Sequence, residues 1–193
     1  AIGYRGAASQ KRHLILSQNL LAIIIIPLSI MVSSILSWVF GMTLRPGWHS
    51  TIFGPYFVLG ALYSGVGVVI VSMWVYRRMY KLEHYFTDKI FKNMGYIMMV
   101  LVAAYGYFTF SEYFTGWFSS EKWESELINK LFNPADYGWW TLFANFAGIL
   151  LPMIIVGLPA TRKRNFITGA ALLMVFAMWV KRYLIIVPTL ETT

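Results

Sequence analysis

Glu112 is the single carboxylate inside any of the long apolar stretches of this chain, and Lys181 and Arg182 are the cations that interrupt another. Ionised groups in hydrocarbon are costly, so each is expected to be paired or to work. Two kinds of work suit them. A carboxylate and a cation at one depth can lock the register of two helices through a bidentate pair, or they can pass protons toward the membrane rim. Lys181 and Arg182 could instead snorkel to the interface. Tyr113 adds a phenol beside Glu112. His49, near the start of the second stretch, could exchange protons near neutral pH or act as an interfacial residue. Glu112, Arg182, Lys181, His49 and Tyr113 are therefore the proton-transfer candidates.

Other chemistries find no residues. There is no Cys, so thiolate ligation of an iron–sulfur cluster and disulfide formation are both excluded for this chain. The three His residues, His13, His49 and His84, fall at or beyond the ends of the apolar stretches, where they cannot serve as axial haem ligands inside a bundle. No phosphate-cradling glycine loop, metal-ligand cluster or hydrolytic constellation occurs. No catalytic, cofactor-binding or metal-binding residue is expected here. Electrons, if any, must travel on a diffusible carrier or in a partner subunit.

The elements that position the candidates are five apolar stretches near 14–40, 52–76, 94–118, 139–158 and 166–187. Each supplies about the 20 residues that cross a hydrocarbon core as a helix, and unpaired backbone amides are not tolerated there. Hydrophobic residues at 58% and charged residues at 12% agree. The expected fold is all-α integral membrane, with about five transmembrane helices, four of them forming one antiparallel bundle, in a single domain over 1–193. A net charge of +8 invites a nucleic-acid reading, but the basic residues alternate by connection. Arg5, Lys11, Arg12, Arg77, Arg78, Lys81, Lys89, Lys92, Arg162, Lys163 and Arg164 make eleven of the sixteen Lys and Arg on one side. The positive-inside rule puts that side, with the amino end, in the cytoplasm and the carboxyl end in the periplasm. Glu112 then lies twenty residues after Lys92, and Arg182 eighteen after Arg164. At 1.5 Å per residue these depths are about 30 and 27 Å, so a Glu112–Arg182 pair is expected if the helices are neighbours.

Local signals refine the picture. Pro27 is expected to kink the first span, and Pro152 the fourth. Gln18, Asn19, Ser29, Ser33, Ser34 and Ser37 are expected to face other helices, for packing or as part of a proton or water path. Gly60, Ala61, Ser64 and Gly65 form small-x-x-x-small pairs for close helix approach. Trp48 and His49 are placed at the outer interface, and Trp139 and Trp140 at the re-entry of the fourth span. The run from Arg77 to Lys89 reads as a short amphipathic helical turn with Thr87 or Asp88 capping the third span, and that from Ser119 to Pro134 as a short surface helix. Asn145 reads as packing or as part of a polar track. Ala1 is not an initiator Met, and Ala1–Gly6 lacks signal-peptide character, so the chain is expected to be a segment of a longer protein.

The run Pro46-Gly-Trp-His-Ser-Thr-Ile-Phe-Gly-Pro-Tyr-Phe57 with Gly60-Ala61 resembles the polysulfide-reductase-like (NrfD-like) family of quinone-interacting membrane subunits. Leu82-Glu-x-Tyr-Phe-Thr87, Gly106-Tyr-x-x-x-x-Glu112-Tyr-Phe-x-x-Trp117 and Met178-Trp-x-x-Arg182-Tyr-x-Ile-Ile-Val187 follow in the family's order. Within it, the chain is most similar to the second half of the larger membrane subunit of bacterial alternative complex III. The resemblance implies two four-helix bundles in the parent subunit, with a menaquinol or ubiquinol site in the absent first bundle. It implies an iron–sulfur subunit, a multihaem cytochrome c subunit and other membrane subunits as partners, in a bacterial inner membrane. It also implies that this chain is a non-cofactor-bearing part of a quinol:electron-acceptor oxidoreductase. Glu112 and Arg182 match the family pattern. Ser33 and Val39 stand where a His and an Asp are implied, and Lys181 where a carboxylate is.

Three classes of function follow: a redox-complex subunit supporting packing and proton transfer, half of a secondary transporter, or a purely structural anchor. Charges at the rim rather than the midplane count against the transporter.

Overall fold

A computed structural model describes residues 8–43, 48, 52–119 and 122–191. Its elements are α1 (Ala8–Gly41), α2 (Phe53–Tyr80), α3 (Asp88–Ser119), α4 (Lys122–Phe132), α5 (Gly138–Asn145), a π turn (Phe146–Leu150), α6 (Leu151–Gly157), a 3-10 turn (Pro159–Thr161) and α7 (Arg164–Glu191). No strand occurs among the described residues. Five helical segments are long and apolar enough to cross a bilayer, the fourth being α5, the π turn and α6 together. The chain is a multi-pass membrane protein. Each of the five apolar stretches coincides with one of these segments to within one residue at an end, and most of the helices run several residues past the apolar run into polar sequence.

Packing follows a seven-residue repeat. Tyr56, Tyr63 and Ile70 of α2, Phe91, Met98 and Tyr105 of α3, and Ile167 and Met174 of α7 are all nearly inaccessible. Residues seven apart stay on one face of a gently supercoiled helix, so these stripes meet in one core. Val156 of α6 completes it. α2 touches α1, α3 and α7, while α3 and α7 both touch α6.

Glycine makes the close approach, at Gly60 as the small-residue spacing expects and at Gly67, which that spacing does not name. A Cβ on Gly67 would stand 2.4 Å from the Met174 Cε and 2.9 Å from the Val175 Cγ2, and one on Gly60 would stand 3.2 Å from the Tyr105 ring. Gly65 faces open space. The tight pair is Gly60 and Gly67, in step with the heptad.

α1 is different. It meets α2 near its end, where Ser37 is buried, and is otherwise exposed along its length. A helix apolar on every side is stable only where the surroundings are apolar too, as in lipid. It runs unbroken through Pro27. Of the polar residues expected to face other helices, only the Ser33–Ser37 group does so; Gln18, Asn19 and Ser29 are exposed. Ser29 donates to Ile25 O at 2.6 Å and Ser34 to Ile30 O at 2.8 Å. A hydroxyl bonded to its own helix needs no neighbour.

One connection also departs from expectation. α2 continues through Arg77 and Arg78 to Tyr80, and Lys81 then adopts a left-handed φ of 53°, so residues 81–87 form turns instead of a separate helix. α3 begins at Asp88, directly after Thr87, whose carbonyl accepts from the Ile90 amide at 3.0 Å. The expected surface helix is present as α4. Trp48, expected at the outer interface, is buried against protein, donates its indole N–H to Ile185 O at 3.0 Å and meets Phe40 edge-on.

Candidate functional site

The core stripes end in charge. Seven residues beyond Tyr105 comes Glu112, and seven beyond Met174 comes Lys181. Both continue an apolar seam, so α3 and α7 turn them inward toward each other. Lys181 is only 5% exposed. Its ammonium donates to the Tyr113 hydroxyl at 2.6 Å and to Asn145 Oδ1 at 3.1 Å, and lies 4.7 Å from the Tyr113 ring centre. A buried ammonium retains its charge only with such partners. Snorkelling is ruled out for Lys181 by this geometry.

Glu112 lines the same small cavity as Lys181, together with Tyr56, Tyr113 and Thr189. The two charges face this space without a direct ion pair among the described residues. The cavity measures about 50 Å³. That is room for water, with enough polar partners to hold it. Leu127 and Leu131 of α4 close its outer side, and the ring of Phe132 stands 5.3 Å from that of Tyr113.

A column of tyrosines leads inward. Tyr105 donates to the Tyr56 hydroxyl at 2.8 Å, their rings stacked with centres 4.8 Å apart. Tyr63 stacks next, 5.9 Å from Tyr105, and donates to Gly148 O at 2.8 Å. The reason lies in Pro152. In an α-helix the Gly148 carbonyl would accept from residue 152, and proline has no N–H. The backbone widens there into the π turn, with the Leu151 amide reaching back five residues to Phe146 O. Asn145 sits immediately before that turn, where its side chain meets Lys181.

The expected Glu112–Arg182 pair does not form among the described residues. Arg182 is one residue, or 100°, away from the inward stripe. It is exposed and borders a separate apolar recess with Phe40, Trp48, Phe53 and Phe57. Residue counting was a sound guide to the shared level along the two helices, but helix rotation gave the position to Lys181. The structure thus brings together Glu112, Tyr113 and Lys181, and leaves Arg182 outside. His49 lies outside the described residues. Asn145, Tyr56, Tyr63 and Tyr105 join the cluster without having been singled out as site residues. The seven-residue spacing in the sequence was the signal that could have found the tyrosines.

Two small cavities adjoin the cluster. Its neighbouring cavities, about 80 Å³ beside Glu124 and 20 Å³ beside Met178, fall well below the roughly 300 Å³ at which small-molecule sites begin. Among the described residues, no group of three His, Asp or Glu side chains is placed to hold a metal ion.

At the other end of the helices, basic residues have structural partners. Arg162 donates to Val156 O at 2.6 Å and Gly157 O at 2.8 Å, capping α6, and to the Tyr96 hydroxyl at 3.0 Å. Asp88 receives Arg164 at 3.1 Å and Arg77 at 3.8 Å, and Arg77 also donates to Phe86 O. Near the α4 end, Glu191 accepts from Tyr137 at 3.0 Å and pairs with Lys130 at 3.4 Å. Partial desolvation and the Glu191 carboxylate hold the Tyr137 phenol above its ordinary pKa, so it stays a donor.

No curated protein matches the chain significantly. The family Polysulphide reductase, NrfD matches residues 9–193, nearly the whole sequence. This apolar, five-span chain with its inward-turned acid and lysine belongs to the NrfD polysulphide reductase family, whose members are quinone-interacting membrane subunits of redox complexes.

Proposed function

We propose that the chain is part of a quinol-oxidising membrane subunit of alternative complex III type in a bacterial inner membrane. Electrons pass from menaquinol or ubiquinol to an iron–sulfur subunit and on to a multihaem cytochrome c subunit. The observation that carries this reading is the family match across residues 9–193. The basic ends of α2 and α7 face the cytoplasm in this reading, and the α4 end the periplasm.

The chain's own contribution is to hold and move a proton. Glu112 and Lys181 share a water-sized cavity near the α4 end, and the Tyr56–Tyr105 hydrogen bond continues from it toward mid-span. A proton held on Glu112 can leave past α4, with Lys181 stabilising the carboxylate that remains. Tyr113 and Asn145 fix the lysine in place throughout. Lys181 stands where the family resemblance implies a carboxylate beside the arginine.

The assembled complex carrying Glu112→Gln tests this. Quinol-dependent reduction of an acceptor, measured with proton release in liposomes, is expected to slow at least about tenfold while subunit and haem content stay intact. Unchanged proton-coupled turnover in an intact complex would leave the cluster a packing device, as in the anchor reading.

A further inference from the structure

Opposite the Lys181 cluster, a cleft of about 430 Å³ opens between the end of α2 and the start of α7. Its rim carries Arg77, Arg78 and Arg164 against the carboxylate of Glu83. Asp88 engages Arg77 and Arg164, at 3.8 and 3.1 Å. Arg78 is exposed, its guanidinium 5.5 Å above the Trp74 ring, and no ion pair engages it among the described residues. The rim keeps an excess of positive charge.

The floor is of the opposite character. Trp74 and Leu172 line it, and a Cβ on Gly169 would meet nothing within 4 Å. Leu172 is eight residues into α7 from Arg164, about 12 Å along the helix. The rim therefore lies at headgroup level and the floor reaches into hydrocarbon. A ligand filling both must carry a phosphate or similar anion at one end and an alkyl chain at the other.

We propose that this cleft is a binding site for one anionic phospholipid. Its phosphate sits among Arg77, Arg78 and Arg164, and an acyl chain lies along Trp74, Gly169 and Leu172. Basic recesses between membrane helices suit such headgroups. A free phosphate ion shares the rim chemistry but leaves the apolar floor empty.

The test uses the whole complex that carries this chain, stripped of lipid in detergent. It is offered phosphatidylglycerol or phosphatidylcholine, and retained lipid is counted by native mass spectrometry. Wild type is expected to retain phosphatidylglycerol preferentially. Arg78→Gln should lower that retention about fivefold, the worth of one basic residue at a membrane surface. Gly169→Leu should lower it similarly by filling the floor, with the charge unchanged and the helix unstrained. Inorganic phosphate at millimolar concentration should not displace the lipid. Equal retention of the two lipids, wild-type retention by Gly169→Leu in an assembled complex, or displacement by inorganic phosphate would each overturn the assignment.

Discussion

The Tyr63 hydroxyl donates to the carbonyl of Gly148 at 2.8 Å, joining α2 to the π turn that Pro152 imposes on the fourth span. Tyr63 is fully buried. Its bond serves the carbonyl whose α-helical donor Pro152 lacks. Tyr63→Phe is therefore expected to destabilise the detergent-solubilised protein by about 1–2 kcal/mol. Pro152→Ala restores an amide donor, so in that background the same change should cost measurably less. A thermal-melt double-mutant cycle reads the coupling, and a zero coupling would show the carbonyl to be served in some other way.

Lys181 and Arg182 are adjacent in sequence and unequal in the structure. Lys181→Met removes the group that Tyr113 and Asn145 hold and leaves the half-buried Glu112 beside an apolar chain. A loss of about 3–5 kcal/mol is expected, the usual cost of stripping one member from a buried polar cluster. Arg182→Gln should stay within about 0.5 kcal/mol. The reverse order in melting temperatures would restore the arginine as the inward partner.

Gly65 and Gly67 offer a similar contrast on α2. Gly67→Ala drives a methyl into Met174 and Val175 and is expected to cost about 1–3 kcal/mol. A shorter partner, Met174→Ala, should recover part of that loss. Gly65→Ala enters open space and should stabilise the helix by about 0.5–1 kcal/mol. Melting curves of the four proteins check all of this.

Thr141 is 1% exposed, and its hydroxyl has no hydrogen-bond partner among the described residues. Thr141→Val keeps the shape and removes a buried polar group. The melt should shift upward, by an amount equivalent to about 1 kcal/mol or more. A destabilised Thr141→Val protein would reveal that the hydroxyl has a bound partner, such as water.

The membrane class was legible in the sequence because it depends on sums: about 20 apolar residues in a row suffice, whatever their order. The five spans, the short α4 and the depth shared by Glu112 and the 181–182 pair were all readable in that way. Rotation about the helix axis was not. One residue is 100° of turn, so the choice between Lys181 and Arg182, or between Gly65 and Gly67, needs the direction of each neighbour. The repeat Phe91, Met98, Tyr105, Glu112 was present in the sequence as a clue to that direction. The π turn needed more still. Pro152 announces a missing donor, but only the approach of Tyr63 decides how the freed carbonyl is satisfied and so where Asn145 meets Lys181. Apolar length set which segments enter the bilayer; contacts between helices alone set which of their polar residues face one another.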